Sequence, residues 1–105
     1  MKTYNLMLPF ARESATLAKS KYPNNQIRLE FISTEDYCPV ATITIGVQDK
    51  LPKYCIAVKN YSENIGMADE LVRLGIIEPK PVMFTKEHNP VYKLTNETII
   101  ELNMV

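Results

Sequence analysis

The chain has 105 residues, with 12 basic and 12 acidic side chains and a formal net charge of zero. That length supports a single domain with one modest core, and 46% hydrophobic with 23% charged residues excludes wholesale disorder. The charges are interspersed, with no basic stripe to displace counterions from phosphates, so nucleic acid is not the expected partner.

Residues 3–10 read as a first strand, Tyr4, Leu6 and Leu8 alternating with Thr3, Asn5 and Met7, with Pro9 confining it to an edge or ending it. Residues 11–22 suit a helix by propensity and a strand by alternation. The turn Pro23-Asn24-Asn25 and the clear strand 26–33 (Ile27, Leu29 and Phe31 on one face) favour a hairpin, making 14–22 a strand. The local excess of positive charge at Arg12, Lys19, Lys21 and Arg28 is diluted by Glu13 and Glu30. A turn over 34–39 leads to residues 40–47, where Ala41, Ile43, Ile45 and Val47 share one face. Ile43 and Ile45 are the expected centre of the core, and residues 54–59 are the expected antiparallel partner.

A helix is expected over 62–74. Asn60 and Glu63 have capping-box spacing, and Ile65, Ala68, Leu71 and Val72 form the inward stripe. Glu63, Asn64, Asp69, Glu70 and Arg73 face water, and Gly75-Ile76 closes the helix as a Schellman turn. Gly66 costs about 1 kcal/mol inside such a helix, unless the helix starts only after it. Pro79 and Pro81 impose an extended connector into Val82-Met83-Phe84-Thr85. Lys86 to Pro90 is a polar turn, 91–94 a short strand, and 97–104 a last strand in preference to a helix. The expected architecture is α+β: an antiparallel sheet of five or six strands with one helix packed on one face.

Nothing in the chain approaches the ~20 apolar residues that span a bilayer, and the N-terminus lacks a secretory signal pattern, so a cytoplasmic protein is expected. Cys38 and Cys55 are too few for a disulfide scaffold and lack metal-ligand spacing; both are read as buried, inert thiols.

Several of these segments together resemble a known family. They are Tyr37-Cys38-Pro39-Val40-Ala41-Thr42-Ile43-Thr44-Ile45, Leu51-Pro52, Ile56-Ala57-Val58-Lys59-Asn60-Tyr61, Ala68-Asp69-Glu70-Leu71-Val72 with Gly75-Ile76, and Pro90-Val91-Tyr92-Lys93-Leu94. The resemblance is to a small family of unknown function carried on plasmids, conjugative elements and phages of Firmicutes and Bacteroidetes. Gly46 stands where that family usually has asparagine, and the segment 58–61 lacks its acidic start. The resemblance implies a mobile-element accessory protein and no particular chemistry.

Candidate chemistry is sparse. His88 is the only histidine and ordinarily a solvated turn residue in this setting; pairing it with Cys38 would need an orienting group and an oxyanion hole that nothing marks. Glu35-Asp36 and Asp69-Glu70 are adjacent pairs rather than facing ones, and three separated glycines form no phosphate loop. No cofactor or metal is expected, and no enzyme.

Tyrosines are the better lead. Tyr22 and Tyr37 at neighbouring turn positions, Tyr61 at the helix start, and Lys86, His88 and Asn89 make the candidate binding residues, with rim packing as the plainer account of the tyrosines. Strand 3–8 and the Ile100-Leu102-Met104 tail offer edges for β-addition or a homodimer. The leading reading is a non-enzymatic protein that binds a host protein, concretely an inhibitor of a bacterial defence system such as CRISPR-Cas. The second is a module that sequesters a nucleotide or metabolite beside the helix.

Overall fold

The first sheet follows from alternation. Ala15 and Leu17 of β2 (Ser14–Lys21) and Leu29, Phe31 and Ser33 of β3 (Ile27–Ser33) point into the core. The two strands pair antiparallel from Ala15 opposite Ser33 to Lys21 opposite Ile27. Asn25, at φ 70°, turns the hairpin and donates its N–H to Tyr22 O at 2.9 Å. Residues 14–21 are therefore a strand, and the helical alternative fails because its lysine-rich end has no apolar stripe to bury. β1 (Tyr4–Asn5) lies outside β2 and β4 (Pro39–Thr42) outside β3, giving the order β1-β2-β3-β4. The computed structural model describes residues 2–104; Met1 and Val105, the ends of the expected domain, lie outside the described residues.

The stretch 40–47 is not one strand. Thr44 Oγ1 accepts the Leu29 N–H at 3.2 Å, so a side chain takes the place of the next ladder carbonyl and pairing with β3 stops. The chain then crosses to a second sheet, where Thr44 bridges Val58 and the Ile45 N–H donates to Ala57 O at 3.0 Å. The central pair expected between 40–47 and 54–59 is reduced to that crossing. β5 (Cys55–Ala57) instead pairs with β7 (Pro90–Lys93), and β6 (Met83–Phe84) flanks β7 on its other side. The class is α+β as expected, but among the described residues seven strands form two antiparallel sheets of four and three rather than one sheet.

The expected helix 62–74 is broken. Ser62–Asn64 make a single 3₁₀ turn, and α1 (Met67–Arg73) begins only after Gly66, which sits at φ 87° in the left-handed region. Pro9 packs against this bend, 3.6 Å from where a Cβ would stand. Asn60 does not form a capping box with Glu63; its Oδ1 reaches across the break to accept the Ala68 N–H at 2.9 Å. The rotation exposes Ile65 (64%), expected inward, and buries Asn64 (2%) and Glu70 (6%), expected in water. The far end closes as expected: Gly75 N–H bonds Val72 O and Ile76 N–H bonds Leu71 O, with Gly75 at φ 74°.

Residues 97–104 are not a strand. Thr95 Oγ1 accepts the Thr98 N–H and starts α2 (Asn96–Glu101), so the fold has a second α-helix. Ile99 and Leu102 are buried while Ile100 is exposed, a spacing of three that alternation had disguised. The main core joins Leu29, Phe31 and Ile43 of the first sheet, Ile56 and Val58 of the second, and Met67 and Leu71 of α1. A smaller cluster of Cys55, Ala57 and Val91 lies under Ile45, Val47, Leu51 and Met83. Ile43 is fully buried, but Ile45 belongs to this satellite and is only half-buried.

Candidate functional site

The edges of the first sheet are treated differently. At β1, Arg73 Nη2 donates to Asn5 O at 2.9 Å, and Glu70 Oε2 accepts the Met7 N–H at 2.5 Å. Glu70 also takes Arg73 Nε at 2.7 Å, so one ion pair on α1 covers the edge expected to be open over residues 3–8. The other expected edge, Ile100 to Met104, belongs to α2 and its end. Arg73 beside it, with help from the Met7 N–H, holds the Glu70 carboxyl below the usual carboxylate range despite burial.

At β4 no strand lies beyond among the described residues. Asn64 Nδ2 donates to Thr42 O at 2.5 Å and secures one end. Beside this edge runs a groove formed by two adjoining cavities of about 420 and 220 Å³, which share Phe10, Pro39 and Val40. Lys59, Glu63 and Asn64 wall one half; Asp36 and Cys38 wall the other. Phe10 is 41% exposed because Pro9-Phe10 turns the chain between Leu8 and Ala11, which bridge each other.

Lys59 and Glu63, four residues apart across the entry to the 3₁₀ turn, form an ion pair. Its hydrogen bond from Lys59 holds the Glu63 carboxyl at about 2, and the Lys59 ammonium stands 5.7 Å over the Tyr61 ring. Tyr61 is 46% exposed and Tyr37 is 79% exposed, the latter at φ 59° between Asp36 and Cys38. Ile65 and Met7 are exposed on either side of the Pro9–Gly66 contact. Of the large apolar side chains that stand exposed, Phe10 lines the groove, and Tyr37 and Tyr61 are chain neighbours of its lining residues. Val82, Phe84 and Ile100 lie elsewhere.

The six residues singled out by the sequence fall in three places. Tyr37 and Tyr61 flank the groove. Tyr22 is not a neighbour of Tyr37: they lie beyond opposite ends of β3. Tyr22 is half-buried; its hydroxyl meets Thr44 O at 3.2 Å and Thr44 Oγ1 at 3.1 Å, and its ring lies where a Cβ at Gly46 would stand 3.3 Å away. Lys86, His88 and Asn89 build the turn between β6 and β7. Asn89 is buried, Thr85 and Asn89 bond each other's backbone, His88 is left-handed at φ 67°, and Asp49 Oδ2 accepts the Lys86 N–H at 3.0 Å.

Cys38 is exposed rather than buried, since its turn lies outside the sheet, with its N–H donating to Asp36 Oδ1 at 3.0 Å. Cys55 is buried, and burial pushes its thiol up. Cys38 and His88 line no common cavity among those lined by described residues. Among the described residues, no group of three or more His, Cys, Asp or Glu side chains could hold a metal ion, and no helix is long and apolar enough to cross a membrane.

The sequence reading missed Phe10, Val40, Lys59 and Glu63 as groove residues. Pro9 directly before Phe10, with the charged pair Arg12-Glu13 soon after, is the one local sign that this aromatic ends in a turn rather than in the core. What the groove offers is aromatic surface, one neutralised charge pair and an unpaired strand edge. No family model matches the chain, and neither a curated protein nor a solved structure matches it.

Proposed function

We propose that the protein is a non-enzymatic binding protein whose partner, another protein, docks on the Phe10 groove. The supporting observation is the exposure of Phe10, which lines the groove beside the open edge of β4, and of Tyr37 and Tyr61, whose chain neighbours Asp36 and Cys38, and Lys59 and Glu63, line it. Aromatic side chains carry much of the energy of protein interfaces, and an open edge adds main-chain hydrogen bonds to an extended segment. The resemblance to mobile-element proteins supplies the context: the partner is a host protein, and inhibition of a bacterial defence system such as CRISPR-Cas is the concrete form.

The test is affinity capture from a host lysate, followed by measured binding of the captured protein to Phe10→Ala, Tyr37→Ala and Tyr61→Ala. At least one truncation is expected to cost about 2 kcal/mol or more in binding. The melting temperature of Tyr37→Ala should stay near that of the parent, since Tyr37 is 79% exposed, and that of Phe10→Ala and Tyr61→Ala should fall only modestly, since both rings are partly exposed. Normal binding by all three variants overturns the assignment of the face. A Cys38→Ser, His88→Ala double variant should keep its biological activity within a few-fold; total loss in a folded double variant overturns the non-enzymatic reading.

A further inference from the structure

A second cleft lies away from the Phe10 face, at the tip of the β2–β3 hairpin. Lys19 and Lys21 at the end of β2 and Lys53 before β5 converge on about 360 Å³ of space floored by Ile27, Tyr54 and Met104. None of its described lining residues is acidic. None of the three lysines takes part in an ion pair among the described residues. Lys19 Nζ has only a long contact to Asn103 O, at 3.5 Å, and Lys53 Nζ stands 4.9 Å over the Tyr54 ring.

Three lysines lining one cleft, with no acidic residue in its described lining, is an unequal use of charge in a chain with as many acids as bases. A concave wall of low polarisability concentrates their field rather than letting water disperse it. A second cleft of the same size continues from the first through Asn25, Ile27, Lys53 and Tyr54; amides from Asn24, Asn25, Gln26 and Gln48 wall it, with Asp49 and Lys50 as one acid and one further base. Each volume is at the small end of the ~300–1,000 Å³ range of ligand sites, which fits a metabolite-sized molecule.

We propose that this cleft binds a free nucleotide, with the phosphate between Lys19, Lys21 and Lys53 and the base against Ile27, Tyr54 and Met104. The two halves of the site select for that class together. A bare anion would satisfy the lysines and leave the apolar floor wet. An uncharged aromatic would cover the floor and leave three cations without a counter-charge. A nucleotide does both, and presents a hydrogen-bonding base edge towards Asn25.

The experiment is calorimetric titration of the whole chain at low ionic strength with AMP, and separately with inorganic phosphate and with adenosine. AMP is expected to bind at least about tenfold more tightly than either half-ligand, and more weakly as salt is raised. Lys21→Glu and Lys53→Glu should each weaken AMP by about tenfold or more, as loss of a charge-assisted contact does. Lys53→Gln, which removes the charge but keeps a polar side chain, should weaken it in the same direction. Lys80→Glu, on the exposed connector after α1, and Phe10→Ala, in the other groove, should leave it unchanged. The proposal is overturned if AMP binds no better than phosphate, or if both charge-reversed variants bind AMP normally. It is equally overturned if a single-stranded oligonucleotide displaces AMP more effectively than AMP itself, which would make the cleft part of a nucleic-acid groove.

Discussion

Glu70 is the residue whose removal tests the architecture most directly, because its carboxylate joins α1 to the end of β1. It is 6% exposed and accepts three hydrogen bonds: Arg73 Nε at 2.7 Å, Arg73 Nη2 at 2.8 Å and the Met7 N–H at 2.5 Å. In Glu70→Ala the Arg73 side chain, 47% exposed, returns largely to water, so its share of the loss is small. The Met7 N–H loses a charged acceptor, which is worth about 1.5–3 kcal/mol before partial rehydration. A net loss of about 2 kcal/mol follows.

Arg73→Ala should cost a similar ~2 kcal/mol by the opposite route, leaving a buried carboxylate without its cation. The double variant should then fall short of the sum by about 1 kcal/mol or more, since the two residues act as one unit. The pH dependence has a definite sign. Glu70 titrates below the usual range in the folded state, so its stabilisation is complete above the unfolded value of about 4.3 and is lost as pH falls through the lower folded value. Glu70→Gln lacks that contribution, so its deficit against the parent should shrink between about pH 7 and pH 3. Urea melts of the parent, both alanine variants, the double variant and Glu70→Gln measure all of this. A loss under about 0.5 kcal/mol for Glu70→Ala, or a Glu70→Gln deficit that does not change with pH, would refute the reasoning.

Two further substitutions discriminate between local and tertiary arguments. Gly66→Ala would stabilise an unbroken helix by about 1 kcal/mol, but at φ 87° it should destabilise by about 1–2 kcal/mol, so the sign alone in a thermal melt decides where α1 begins. Ile43→Ala should cost about 2–5 kcal/mol, whereas Ile45→Ala, half-buried over the satellite cluster, should cost about 1 kcal/mol; equal losses in urea would mean that the two residues share one core after all.

Much of the local structure was legible because it depends on neighbours in the chain. The β2–β3 hairpin follows from a turn between two alternating runs, and the Gly75-Ile76 closure from a left-handed glycine followed by an apolar residue. The site was less legible. Tyr37 and Tyr61 flank the groove, but Tyr22 is tied to Thr44, and Asn89 is buried in the turn that it builds. A tyrosine at a turn looks the same in sequence whether its hydroxyl meets water or a backbone carbonyl. Phe10 reads as the last residue of the first strand, because Pro9 marks an edge or a strand end without showing where the chain goes next.

The sequence by itself determined the α+β class, the strand character of residues 14–21 and 27–33, the apolar residues that α1 buries at Ala68 and Leu71, and the chemistry available at the surface. Tertiary structure decided what those elements meet. Thr44 ends one ladder by offering its hydroxyl to Leu29, so a continuous β-prone run is divided between two sheets. Pro9 against Gly66 and the reach of Asn60 to Ala68 set the start of α1, and that rotation moves Glu70 from solvent to the edge of β1. Thr95, capping Thr98, makes a helix of a segment whose apolar residues also alternate. In each case hydrogen bonds or contacts between segments override a pattern that two geometries share, because a buried donor must find an acceptor wherever in the chain that acceptor lies.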